Sequence, residues 1–217
     1  MKPSLLVSAI LIAATFTLAL WANAVLPATA FLPIHQSFNS PVILHLPKTA
    51  ALAIFPCVAL LVIGLLAAGP TLTGRAHLLE RSQAPYGAML IGLSGVFLVS
   101  EAAVAQRMAE TAFDVLRPVF LSVAVLLLML GNYLGKARQN GLFGIRTPWT
   151  LSDARVWDKT HRAAGRLMVL AGLALIPVSL LVGPAPLLVA LMVLLTAGPL
   201  VWAALYSRSL YRREHHA

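Results

Sequence analysis

The chain holds a single cysteine, Cys57, set inside an apolar run. That excludes a disulfide framework and a cysteine-built metal site, and it reads as a small buried hydrophobe. Acidic residues are equally scarce, seven Asp and Glu in 217 residues, and no HExxH, Walker A or GxSxG pattern occurs. The common metal-hydrolase, nucleotide-binding and serine-hydrolase constellations are therefore missing. Charged residues of both signs total 11%, against about 25% in a typical globular domain, which excludes an ordinary soluble one. No internal repeat is evident, so an inverted-repeat transporter finds no support.

What the chain has in abundance is apolar sequence: 59% of its residues are hydrophobic. Several runs of about 20 such residues match a hydrocarbon core roughly 30 Å thick. The expected fold is an all-α membrane protein of about six transmembrane helices. The spans read Leu5 to Val25, Thr49 to Gly69, Pro85 to Gln106, Val115 to Leu134, Ala163 to Val182 and Pro186 to Tyr206. The first, with Ala22-Asn23-Ala24 near its end, also resembles a secretory signal with an A-x-A cleavage site. Pro56 is expected to kink the second span. Ala84, Ala88 and Gly92 in the third form a small-residue row that admits a neighbouring helix. Glu101 lies about one turn from the outer end of that span. An ionisable residue in a span is a functional candidate, with a carboxylate snorkelling to the interface as the competing reading.

The net charge of +9 would suggest nucleic acid in a soluble protein. In a membrane protein it reflects basic residues retained in the cytoplasm, and no direct nucleic-acid binding is expected. With the termini inside, only Lys48, Arg107 and Arg117 of the sixteen Lys and Arg fall outside, which supports both termini being cytoplasmic. The chain then divides into an N-terminal membrane region, 1–130, and a region 131–217 ending in two spans. An outer segment, 26–48, is too rich in proline to cross as a helix and is expected to pack on the outer face. His35 and His45 there lack spaced partners, and the tail pair His215-His216 is isolated, so no metal or cofactor is expected.

The most informative stretch is Gly131 to Arg166, polar, aromatic and basic between two apolar runs, with seven of the sixteen Lys and Arg. Asn132 and Tyr133 mark the membrane edge. Gly141 and Gly144 permit unusual backbone conformations. Pro148 should hold Thr147 extended, so Arg146, Thr147 and Trp149 would project from a constrained turn. Thr150 or Ser152 would cap the next helix, with Asp153 in its first turn. At 100° per residue Val156, Trp157, Thr160, His161 and Ala164 share an arc of about 140°, and Arg155, Asp158, Lys159, Arg162 and Arg166 share a separate one of about 100°. Asp158 and Arg162 are spaced for an i,i+4 pair. This predicts an amphipathic helix at the interface between spans four and five, with Trp157 among the headgroups.

These residues resemble the signature of the SdpI family of membrane proteins. It stands here as Asn132, Asn140, Gly144-Ile145-Arg146-Thr147-Pro148-Trp149-Thr150-Leu151-Ser152, Val156-Trp157, Thr160-His161-Arg162 and Gly165. The outer segment is similar to a small domain of unknown function that often precedes this signature, through Leu32-Pro33-Ile34-His35, Asn39 and Pro47-Lys48, with Ser40-Pro41 in place of the expected glycine. The resemblance implies a multi-pass protein of the bacterial cytoplasmic membrane, acting in toxin immunity and signalling. Its partners would be the lipid bilayer, a secreted antimicrobial peptide outside, and a small transcriptional repressor held at the cytoplasmic face. The signature would be the cytoplasmic binding surface, and His35, Asn39, Lys48 and Glu101 an outer ligand face. A membrane enzyme or transporter acting on a phosphate-bearing or lipid substrate is the competing class, with Arg146 and Arg162 on phosphate and His161 as acid or base.

Overall fold

The structure is a computed structural model that describes residues 2–35, 42–110 and 112–215. Its helices are α1 (Lys2–Val25), α2 (Lys48–Leu72), α3 (Gln83–Ala109), α4 (Leu116–Leu134), the short α5 (Pro148–Ser152), α6 (Ala154–Leu181) and α7 (Ala185–His215). All but α5 are long and apolar enough to cross a membrane, so the chain is an all-α membrane protein with six candidate spans. A 3-10 turn at Ala76–Ser82 leads into α3.

Inside hydrocarbon every backbone polar group needs an internal partner, which a continuous helix provides. The hydroxyls within the spans follow the same logic. Thr15, Ser94, Ser100 and Ser179 each donate to the carbonyl four residues earlier, at 2.7 to 2.8 Å. They cross the apolar layer without requiring a partner on another helix.

Helix α1 runs along α3 and α2, while α4, α6 and α7 form the other side of the bundle. The tightest crossing joins α4 to α6. A Cβ placed on Gly131 would lie 2.6 Å from the carbonyl oxygen of Gly165, and one on Gly165 would lie 2.6 Å from that of Gly131. Further along, a Cβ on Gly172 would stand 2.9 Å from the Ala124 carbonyl oxygen. Small residues let backbones touch where the solvent gives no hydrophobic drive to association. Of the predicted row on α3, Gly92 approaches α4, where a Cβ on it would meet Leu126 Cδ1 at 2.7 Å.

Between α1 and α2 the chain forms an antiparallel hairpin, β1 (Phe31–His35) and β2 (Val42–Pro47), with Phe31 opposite Pro47 and Pro33 opposite His45. The proline-rich segment between these helices thus has regular pairing over its described residues. Lys48, directly after β2, donates from Nζ to the carbonyl oxygens of Asn23 and Leu26 at 2.7 and 2.8 Å. Its charge sits at the negative end of the α1 dipole.

The structure corrects several sequence expectations. Cys57 is exposed on α2 rather than buried; sulfur is apolar enough to face the surrounding medium, so an apolar run does not specify its direction. The amphipathic segment is continuous with span five as the first turns of α6, and its aromatic arc is turned into protein, with Trp157 fully buried. Asp153 is the N-cap of α6, its Oδ1 accepting from the backbone N–H of Arg155 and Val156. A carboxylate at that position satisfies two of the orphan donors that Thr150 or Ser152 had been expected to serve. Trp149 belongs to a short helix rather than a turn. Asp158 pairs with Arg138 at 3.5 Å, while Arg162 Nε donates to the Asp158 backbone carbonyl.

Candidate functional site

Residues from Gly135 to His161 build a cap over one end of the bundle, the end that carries most of the basic residues. Its base is Asn140. The Oδ1 atom accepts from the backbone N–H of Leu142 and Phe143 at 2.9 and 2.8 Å, and Nδ2 donates to the Arg138 carbonyl at 2.7 Å. One buried amide therefore folds the loop back on itself, in the manner of an Asx turn. Phe143 is pinned inward, edge-on to Tyr86 of α3 at 5.8 Å between ring centroids.

The chain then passes through Gly144 at φ +106°. A Cβ there would lie 2.5 Å from His161 Nε2. Backbone conformation and lack of space both demand glycine at this position. Just beyond it, the Ile145 N–H donates to His161 Nε2 at 2.9 Å. His161 Nδ1 lies 2.9 Å from the Trp157 carbonyl oxygen. An acceptor nitrogen on one side and a carbonyl on the other assign the proton to Nδ1, and the ring is neutral in this arrangement. The imidazole stacks on Trp157, with centroids 3.9 Å apart and planes 18° from parallel. Trp157 Nε1 donates to the Ala137 carbonyl at 2.8 Å, tying α6 to the loop after α4.

Thr147 and Thr150 complete the cap. Thr147, extended at φ −90° and ψ 160°, forms a reciprocal capping box with Thr150, and Pro148 opens α5. The Thr150 hydroxyl donates to the Ile145 carbonyl at 2.7 Å. The Thr147 hydroxyl shares a 2.9 Å hydrogen bond with Ser207 of α7. Arg208 of α7 stands over the Trp149 ring at 5.8 Å. Lys159 is ion-paired with Glu214, and Asp153 with His215 at 3.6 Å when that histidine is protonated.

The signature residues thus fall into two groups. Asn140, Thr147, Thr150, Trp157 and His161 bond chiefly to the cap's own backbone and Gly144 makes room for His161, so these residues shape the cap, while Gly165 belongs to the α4–α6 crossing. Arg146, Pro148, Asn132 and Arg162 are exposed, and Trp149 is half-buried. Thr160 is buried on the aromatic arc, its hydroxyl without a hydrogen-bond partner among the described residues. His161 has both ring nitrogens engaged, so in this arrangement it supports the backbone rather than facing a substrate.

The residues expected at the outer face do not form one open surface. Glu101 is fully buried within the bundle, and neither carboxylate oxygen has a hydrogen-bond partner among the described residues, so it does not snorkel. Lys48 is engaged with the end of α1, His35 closes β1, and Asn39 lies outside the described residues. Sequence reasoning overlooked Gln139, whose amide donates to the Thr150 and Leu151 carbonyls at 2.7 and 2.9 Å. It also overlooked Ser207, Arg208 and Glu214, which carry no signal in the sequence because a helix from elsewhere in the chain brings them to the cap.

Comparison with known proteins places this geometry in context. Residues 136–203, which run from the cap into α7, match the SdpI/YfhL protein family. Over 93 residues the chain is 36% identical to the Immunity protein SdpI of Bacillus subtilis (strain 168), covering 43% of this chain and 44% of that protein. Over 58 residues it is 34% identical to the Uncharacterized protein YfhL of the same organism, covering 27% of this chain and 53% of that one. The matches thus span about half the length of these relatives. No solved structure matches the chain. Through the cap and the two helices behind it, the chain is similar to the SdpI/YfhL protein family.

Proposed function

We propose that this protein is a multi-pass immunity and signalling protein of the bacterial cytoplasmic membrane, with the cap in the cytoplasm. In this role it protects its cell from a secreted antimicrobial peptide and holds a small transcriptional repressor at the membrane. The observation that carries the reading is the division of labour within the cap. Its buried polar residues are engaged by the cap's own backbone, which leaves Arg146, Pro148, Leu151 and Arg155 as an exposed face on a bonded support. A fixed face of mixed basic and apolar character suits a folded protein partner with an acidic surface. The similarity to a named immunity protein supports the same reading. Orientation rests on the basic residues gathered at the cap end.

The test is expression in a bacterial strain sensitive to such a peptide. Wild type is expected to raise survival, and Arg146→Ala to retain protection while releasing a repressor that wild type pulls down from membranes. A wild-type protein that protects against no member of a peptide panel overturns the immunity reading. Equal repressor recovery with wild type and Arg146→Ala overturns the assignment of the exposed face.

A further inference from the structure

Beside the α4–α6 crossing a groove of about 420 Å³ opens on the flank of the bundle. Its floor is the contact between Gly131 and Gly165, where neither helix has a side chain to fill the space. Val169 and the exposed Leu170 line one end. Arg162 and Arg166 line the other, next to the cap, and the exposed side chain of Asn132 lies on the opposite bank.

The two arginines are not neutralised. The nearest carboxylate along α6, Asp158, is paired with Arg138, and Arg162 uses only its Nε, on a backbone carbonyl. Arg166 has no ion pair among the described residues. Along α6 the distance from Arg162 to Leu170 is about 12 Å at 1.5 Å per residue. The groove therefore changes from cationic to apolar along the α6 axis, over a length comparable to the passage from headgroup to acyl chain. Guanidinium groups bind phosphate oxygens in pairs, and the Asn132 amide adds a neutral donor.

From this geometry we propose that the groove is a binding site for an anionic phospholipid, its phosphate held by Arg162 and Arg166 and one acyl chain lying over the glycine crossing against Val169 and Leu170. The site is independent of the immunity reading and stands whether or not a toxin or repressor is found.

The experiment uses the full chain purified in detergent and offers dioctanoyl phosphatidylglycerol, dioctanoyl phosphatidylcholine, glycerol 3-phosphate or inorganic phosphate. Retained ligand is read by native mass spectrometry, and stability by thermal unfolding. Wild type is expected to retain one phosphatidylglycerol in preference to the other three. Arg162→Gln with Arg166→Gln should weaken that retention roughly thirtyfold, while Arg212→Gln with Arg213→Gln, which removes the same charge from the tail, should leave it unchanged. Asn132→Ala, on the other bank, should weaken it several-fold and provides a second variant if the double one fails to fold. Equal losses in both double variants would mean nonspecific attraction and overturn the proposal. Retention of phosphatidylcholine to the same extent overturns it, and so does stabilisation by glycerol 3-phosphate or inorganic phosphate that matches the lipid.

Discussion

Gly144 and His161 depend on each other, and their relation yields the sharpest single-residue predictions. Gly144→Ala places a Cβ in the left-handed region and against the imidazole at once. It should lower stability by about 1–3 kcal/mol or more. His161→Leu keeps the volume but strands the Ile145 N–H, at a cost of about 1–3 kcal/mol. Thermal unfolding in detergent measures both, and an unchanged midpoint in either variant contradicts the hydrogen bonding described for the cap. Helical periodicity alone found the face formed by Val156, Trp157, Thr160 and His161. It did not find what that face meets, because an aromatic arc against protein and one among headgroups have the same spacing. Burial resolves the ambiguity, and burial depends on the loop around Asn140 folding back over α6.

Among the elements, the six spans were readable because each apolar run is about as long as the layer it must cross. Starts and ends shifted where capping chemistry intervened, as at Asp153. The α4 side of the α4–α6 crossing had a signal that sequence reasoning passed over, the G-x-x-x-G pair Gly131 and Gly135; its partner Gly165, 34 residues further on, could not be read from spacing alone. The crossing makes a clear contrast with other glycines. Gly131→Ala should destabilise strongly, because the added Cβ meets backbone on α6, whereas Gly95→Ala has open space and should be neutral or stabilising by up to about 1 kcal/mol. Equal effects at the two positions would argue against backbone contact at the crossing. The start of α6 supplies a pH test. Burial pushes the Asp153 carboxyl up, but the backbone N–H donors of Arg155 and Val156 and the charges of Arg155 and His215 outweigh it, holding the group below its ordinary value. Its folded-state pKa is therefore depressed, so its contribution is complete above the unfolded value of about 3.9 and is lost as pH falls through the lower folded value. Asp153→Asn keeps a capping oxygen and should flatten that acid limb of the unfolding midpoint against pH.

For the whole molecule, the basic residues predict which end faces the cytoplasm, and labelling can check it. With Cys57 replaced by serine, a cysteine introduced at Arg146 should resist a membrane-impermeant maleimide in intact cells, while one at Phe31 should react; the reverse pattern would invert the topology. Another consequence lies in the length of α7. Its 31 residues extend about 46 Å at 1.5 Å per residue, well beyond a hydrocarbon core of roughly 30 Å. The excess is the stretch that holds the cap through Ser207, Arg208, Glu214 and His215. Elsewhere α7 leans chiefly on α6, with much of its surface open. A long helix fits a thinner bilayer by tilting. Here that tilt would act on a lever whose short arm is bolted to the cap, so membrane thickness becomes a mechanical input to the face bearing Arg146 and Leu151.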